Sequence, residues 1–118
     1  MKRLLLSLAL LLTFAAAALA DSPAAYPGGD EAMKKYLAEN TKYPEPARQN
    51  DIEGIVNVSF TVNADGSVGS IKIVRMIDPD LEQEAIRLVK NMPAWTPAEK
   101  DGKPVDSTVT VAIPFTLN

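Results

Sequence analysis

Pro114 is the residue whose chemistry is most tied to its position. It sits in a run, positions 107–117, where Val109, Val111, Ile113, Phe115 and Leu117 alternate with Thr108, Thr110, Ala112, Pro114 and Thr116. That period of two marks a strand with one buried face. Proline has no N–H to give to a ladder, so a strand containing it is expected at a sheet edge. In an antiparallel strand the N–H and C=O of one residue point to the same side, and the side alternates along the chain. If Pro114 faces outward, Thr110, Ala112 and Thr116 do so too, and their backbone groups form an open row. Such a row is a template for a strand from another chain. A guest forming about four to six bonds, worth roughly 0.5–1.5 kcal/mol each, must offset about 1–2 kcal/mol per ordered residue. The expected contact is therefore weak and transient. In the plainer alternative, Pro114 only guards the edge against aggregation.

The other chemistry-bearing groups point to structural work. The chain has no Cys and no His, which removes disulfides, thiolate nucleophiles, Ser-His-Asp triads and the usual Zn or haem ligand sets. Asp78, Asp80, Glu82 and Glu84 have the spacing of a helix start, where acids complement the dipole. No nucleophile–base pair accompanies them, so the expectation is no enzyme. Asn63-Ala64-Asp65-Gly66 has part of a calcium loop but lacks its remaining ligands, so a hairpin turn and no metal are expected. Trp95 reads as a core residue, with an exposed partner anchor as the alternative. Lys100-Asp101-Gly102-Lys103 reads as a solvated turn. The net charge of −3 lacks the basic footprint of a nucleic-acid binder. No cofactor and no small-molecule substrate are implied.

These groups need a scaffold, and the periodicity supplies one. A helix opens at Asp30, with Ala32, Met33, Tyr36, Leu37 and Asn40 on one face; Tyr43-Pro44 breaks it, and Pro46 starts one further turn. Positions 55–62 alternate as a strand, with Val56, Val58, Phe60 and Val62 on one side. A turn containing Gly66 leads to a second strand over 68–76. Asp78-Pro79 caps a helix with the stripe Leu81, Ala85, Leu88, Val89 and Met92, ended by Pro93. Positions 95–104 read as a polar loop before the last strand. The order helix-strand-strand-helix-strand predicts an α+β fold, two helices packed on one face of a three-stranded antiparallel sheet of order 2-1-3.

The chain's start reads differently. Sixteen of the first 20 residues are apolar, after Lys2-Arg3 and before a small-x-small Ala18-Leu19-Ala20. This is the pattern of a cleaved signal peptide over 1–20, with a membrane anchor as the alternative. Residues 21–29 read as a short linker and 30–118 as the domain. Ten basic and fifteen acidic residues then leave −5 beyond the leader. Export without Cys fits a bacterial periplasm; the alternative is an inner-membrane anchor with the domain facing the periplasm.

The ordered set Tyr26-Pro27-Gly28-Gly29, Tyr36-Leu37, Tyr43-Pro44, the strand from Gly54 to Val62, Asp65-Gly66-Ser67-Val68, Met92-Pro93-Ala94-Trp95-Thr96-Pro97-Ala98, Gly102-Lys103-Pro104-Val105 and Ile113-Pro114-Phe115 resembles the C-terminal domain of TonB, in its Bacteroidetes-type form. The resemblance implies a module that docks the TonB box, an extended segment of an outer-membrane TonB-dependent transporter, by strand addition beside the last strand. It places Thr110, Ala112, Pro114 and Thr116 at the partner and implies a part in energy-coupled transport of iron chelates, vitamins or glycans. Full-length members carry a His in their membrane anchor and a long Pro-rich spacer. Here there is no His, and residues 21–29 reach roughly 30 Å at about 3.1–3.6 Å each. Both features argue against coupling of this chain alone to the inner-membrane proton-driven motor. Two alternatives follow: a soluble regulator or decoy of such transporters, and a structural subunit that forms a homodimer edge to edge.

Overall fold

The computed structural model describes residues 21–117. The leader over 1–20, with its expected signal peptide or anchor, lies outside the described residues. In chain order the elements are α1 (Asp30–Asn40), α2 (Glu45–Gln49), β1 (Gly54–Val62), β2 (Val68–Ile73), α3 (Pro79–Lys90), β3 (Ala98–Lys100), β4 (Lys103–Val105) and β5 (Ser107–Phe115). No helix among the described residues is long and apolar enough to cross a membrane. The main sheet is antiparallel with order β2-β1-β5, the α+β arrangement expected, with β5 as the third strand.

Strand alternation builds the core. Val56, Val58, Phe60 and Val62 of β1, with Val111, Ile113 and Phe115 of β5, are buried on one face. Leu37 of α1 and Leu81, Ala85, Leu88 and Val89 of α3 join the same cluster, so both long helices cover that face. The Asp78 carboxylate accepts from the Asp80 and Leu81 N–H groups at 3.0 Å each, occupying two donors that helix geometry leaves unpaired at an N-terminus. Glu82 accepts from the Ile77 N–H at 2.6 Å.

Glu84 is buried, at 8% exposure, and ties the two helices together. It accepts from Arg87 at 2.7 Å and from the Lys42 N–H at 2.6 Å. Arg87 also donates to the Asn40 carbonyl at 2.9 Å, and the Tyr36 hydroxyl donates to the Leu88 carbonyl at 2.6 Å. Burial pushes the Glu84 carboxyl up, but the Arg87 and Lys42 hydrogen bonds together outweigh it and hold it below the ordinary glutamate value. A folded-state value below the unfolded one contributes stability above the unfolded value and loses it as pH falls through the folded one. Glu84→Gln is expected to cost about 1–2 kcal/mol at neutral pH, the charged hydrogen bonds being partly screened on the Arg87 side. It should also flatten the loss of stability on acidification. Urea midpoints of both proteins from pH 7 down to pH 3 check this, and parallel pH profiles would contradict it.

Three segments depart from expectation. β2 stops at Ile73 instead of running to 76, and its register against β1 jumps from Thr61–Gly69 to Ser59–Lys72 before pairing resumes through Ile73. Ser70, at φ 49, lies in the segment that takes up the extra residue as a bulge. Within and just beyond the 95–104 span read as loop, positions 98–105 form the β3–β4 hairpin, closed by Asp101 (φ 53) and Gly102 (φ 78). Two positive φ angles in a two-residue turn match the twist of flanking strands. Residues 21–29, read as linker, are fastened to this hairpin and to the residues leading into it: Ser22 pairs with Glu99 and Ala25 with Thr96, and Tyr26 is buried against Trp95.

Candidate docking edge and groove

β5 is the outer strand of the main sheet and pairs with β1 in unbroken register, from Gly54–Phe115 to Val62–Ser107. Two hydrogen bonds establish which way its backbone faces. The Val74 N–H donates to the Asn57 carbonyl at 2.9 Å, so the odd-numbered residues of β1 near Asn57 turn their backbone groups toward β2. Val56 and Val58 then turn theirs toward β5, where they meet Ile113 and Val111. At the far end the Leu117 N–H donates to the Glu53 carboxylate, on the β1 side again. Odd residues of β5 thus face β1, and Thr110, Ala112, Pro114 and Thr116 face outward. All four are exposed. The structure brings together every residue singled out for the edge, and the Pro114 ring lies on the side where no ladder needs its N–H.

The edge is not flat against solvent. A groove of about 930 Å³ runs beside it, lined by Thr110, Ala112, Pro114 and Thr116 on one wall and by α1 and α2 on the other. Met33 and Leu37 of α1 supply its apolar floor. Their spacing of four signals one helix face in the sequence, but nothing there shows that the face overlooks β5. At one end the Tyr43 ring stands edge-on to Phe115 at 5.8 Å, and the Arg48 guanidinium lies 5.3 Å over Tyr43. The Tyr43 hydroxyl donates to the Ile52 carbonyl, and burial raises its pKa above the ordinary phenol value. It stays a neutral donor that locks the loop. The groove therefore offers an extended chain backbone partners along one side and, along the other, an apolar strip of α1 flanked by Asp30, Lys34 and Arg48.

The opposite edge is poorly suited to a guest. β2 is six residues long, bulged and carries exposed Lys72, all features that blunt an edge. The remaining candidate groups have structural partners. Asp65 accepts from the Ser67 N–H and hydroxyl at 2.9 and 2.6 Å, and those bonds lower its pKa. Trp95 is in the core, at 6% exposure, not at the surface.

A family model described as Gram-negative bacterial TonB protein C-terminal matches residues 39–117. The chain belongs to the TonB C-terminal family. Protein TonB of Helicobacter pylori is 40% identical over 80 residues in one strain and 39% in another. That stretch is 67% of this chain and 26% of each relative, so the chain spans about a quarter of the curated relatives it matches. Two NMR solution structures of the Helicobacter pylori TonB C-terminal domain share the fold, each with a TM-score of 0.54. One is 29% identical, covering 72% of this chain and 77% of that one; the other is 30% identical, covering 75% and 95%. The TonB family match takes in all of β5 and α2 but begins near the end of α1.

Proposed function

We propose that this chain is a periplasmic docking domain that receives an extended segment of an outer-membrane transporter as an added strand on β5, within energy-coupled transport. The observation that carries the reading is the outward row Thr110, Ala112, Thr116 opening into the groove beneath α1, in a member of the TonB C-terminal family. Backbone bonds to β5 supply affinity without regard to sequence, and the groove sorts the guest's alternate side chains. Against such weak bonds the ordering cost of the guest is large, so the docked state forms and releases readily. Export across the inner membrane by the apolar leader completes the reading.

The test is binding of synthetic peptides from the N-terminal extensions of outer-membrane transporters to the purified protein and to Ala112→Pro. That change deletes one outward N–H at the middle of the row and leaves the bonds to β1 in place. The expected result is at least about tenfold weaker binding, one lost hydrogen bond plus the imperfect fit of a proline ring, with an unchanged circular dichroism spectrum. Equal affinity of the two proteins would remove β5 as the docking edge.

A further inference from the structure

β5 carries almost none of the features that protect a sheet edge from pairing with another copy of itself. It is nine residues long, its register against β1 is unbroken, and no residue from Ser107 to Phe115 is charged. Short length, bulges and charges are the usual guards, and β2 on the other side has all three. What β5 has is Pro114, exposed and facing outward.

We propose that Pro114 discriminates between a guest strand and a second copy of this chain, through the symmetry of the pairing. The inference rests on the docking reading for the guest. Its part about the second copy stands on the edge geometry alone. When two copies pair antiparallel through β5, a twofold axis relates them, and outward residues meet outward residues. Pairings centred on Val111, Ala112 or Ile113 place Pro114 opposite Thr108, Thr110 or Ala112 respectively, and symmetry repeats that contact on the other side of the axis. Each of these pairings loses two hydrogen bonds and leaves two carbonyls facing a proline ring. A pairing centred on Thr110 avoids Pro114 but spans only Thr108 to Ala112, a shorter contact. A guest peptide meets Pro114 once and loses one bond. The second copy thus suffers the penalty squared. The edge stays open to a partner of different sequence while the protein is held back from pairing with itself.

The test replaces Pro114 with Thr, matching the other outward residues. Each restored bond is worth roughly two- to tenfold. Sedimentation velocity over a range of concentrations is expected to show self-association of Pro114→Thr strengthened ~5- to 100-fold over the unaltered protein. The affinity for a transporter N-terminal peptide, read by fluorescence anisotropy, should rise by only about the square root of that factor. Pro114→Ala, which restores the same N–H without a β-branched side chain, must give the same order. Ala112→Pro combined with Pro114→Thr puts a proline back on the outward row, and self-association should fall toward that of the unaltered protein. Self-association unchanged in both single variants, with native circular dichroism, overturns the proposal. So does a rise no greater than the rise in peptide affinity. A transporter peptide that binds none of these proteins overturns the docking reading instead, and the sedimentation result still reports on the guard.

Discussion

Trp95→Ala is expected to lower the stability of the domain by about 3 kcal/mol, near the lower end of what truncating a buried Trp costs. Trp95 packs edge-on against Phe60 at 5.4 Å and Tyr26 at 5.7 Å, and its backbone N–H donates to the Gly66 carbonyl at 2.9 Å. It therefore joins the first strand, the β1–β2 turn and the N-terminal segment that precedes α1. Removing the ring empties that junction and loosens Tyr26, whose own ring lies 6.0 Å from Tyr36. One feature of the site lowers the cost. The indole Nε1 is buried and has no hydrogen-bond partner among the described residues, and a buried unpaired donor is itself destabilising. Trp95→Phe keeps an aromatic ring at the junction and deletes that donor, so it should cost clearly less than the alanine variant. Against a total stability of about 5–15 kcal/mol for a domain of this size, the alanine change will be obvious in urea unfolding. A midpoint within experimental error of the unaltered protein would show that the ring does not hold the junction.

β1, β5 and the α3 helix were legible because each has one dominant period. β1 and β5 alternate without interruption, and α3 has an Asp cap, a proline at its first position and an apolar stripe. The outward direction of β5 could be reasoned from Pro114, since a residue without an N–H constrains the ladder before any neighbour is known. The groove was not legible. Its far wall comes from α1 and α2, and the period of a helix tells which face is apolar but not which strand it overlooks. The β3–β4 hairpin escaped for a different reason. Its strands are three residues each and read Ala-Glu-Lys and Lys-Pro-Val, too short and too polar to alternate. Residues 21–29 have no strand signal of their own. Ser22 and Ala25 pair with a partner strand some seventy residues away, and such pairing is invisible to any local window. Tyr26 is buried only because Trp95 and Tyr36 are brought to it.

Gly66→Ala is expected to cost about 2–4 kcal/mol, more than the usual effect of adding a methyl group in a surface turn, because two independent penalties fall on the same atom. Gly66 has φ +89, a conformation that L side chains rarely adopt, and a Cβ there would lie 2.4 Å from the Trp95 carbonyl oxygen. That oxygen belongs to backbone, not to the end of a flexible side chain, so relief requires the turn and the 94–95 segment to separate. Separation breaks the bond from the Trp95 N–H to the Gly66 carbonyl and strains the 2.8 Å bond from the Gly66 N–H to the Asn63 carbonyl. The Asp65–Ser67 bonds hold the turn in its native shape and resist rearrangement. Because Gly66 and Trp95 touch, their effects will not add. Once Trp95→Ala has loosened the 94–95 segment, Gly66→Ala should cost less than it does alone. A double-mutant cycle by urea unfolding reads this directly. Full additivity would mean that the clash is relieved within the turn itself, and that the turn and the Trp95 segment are not mechanically joined.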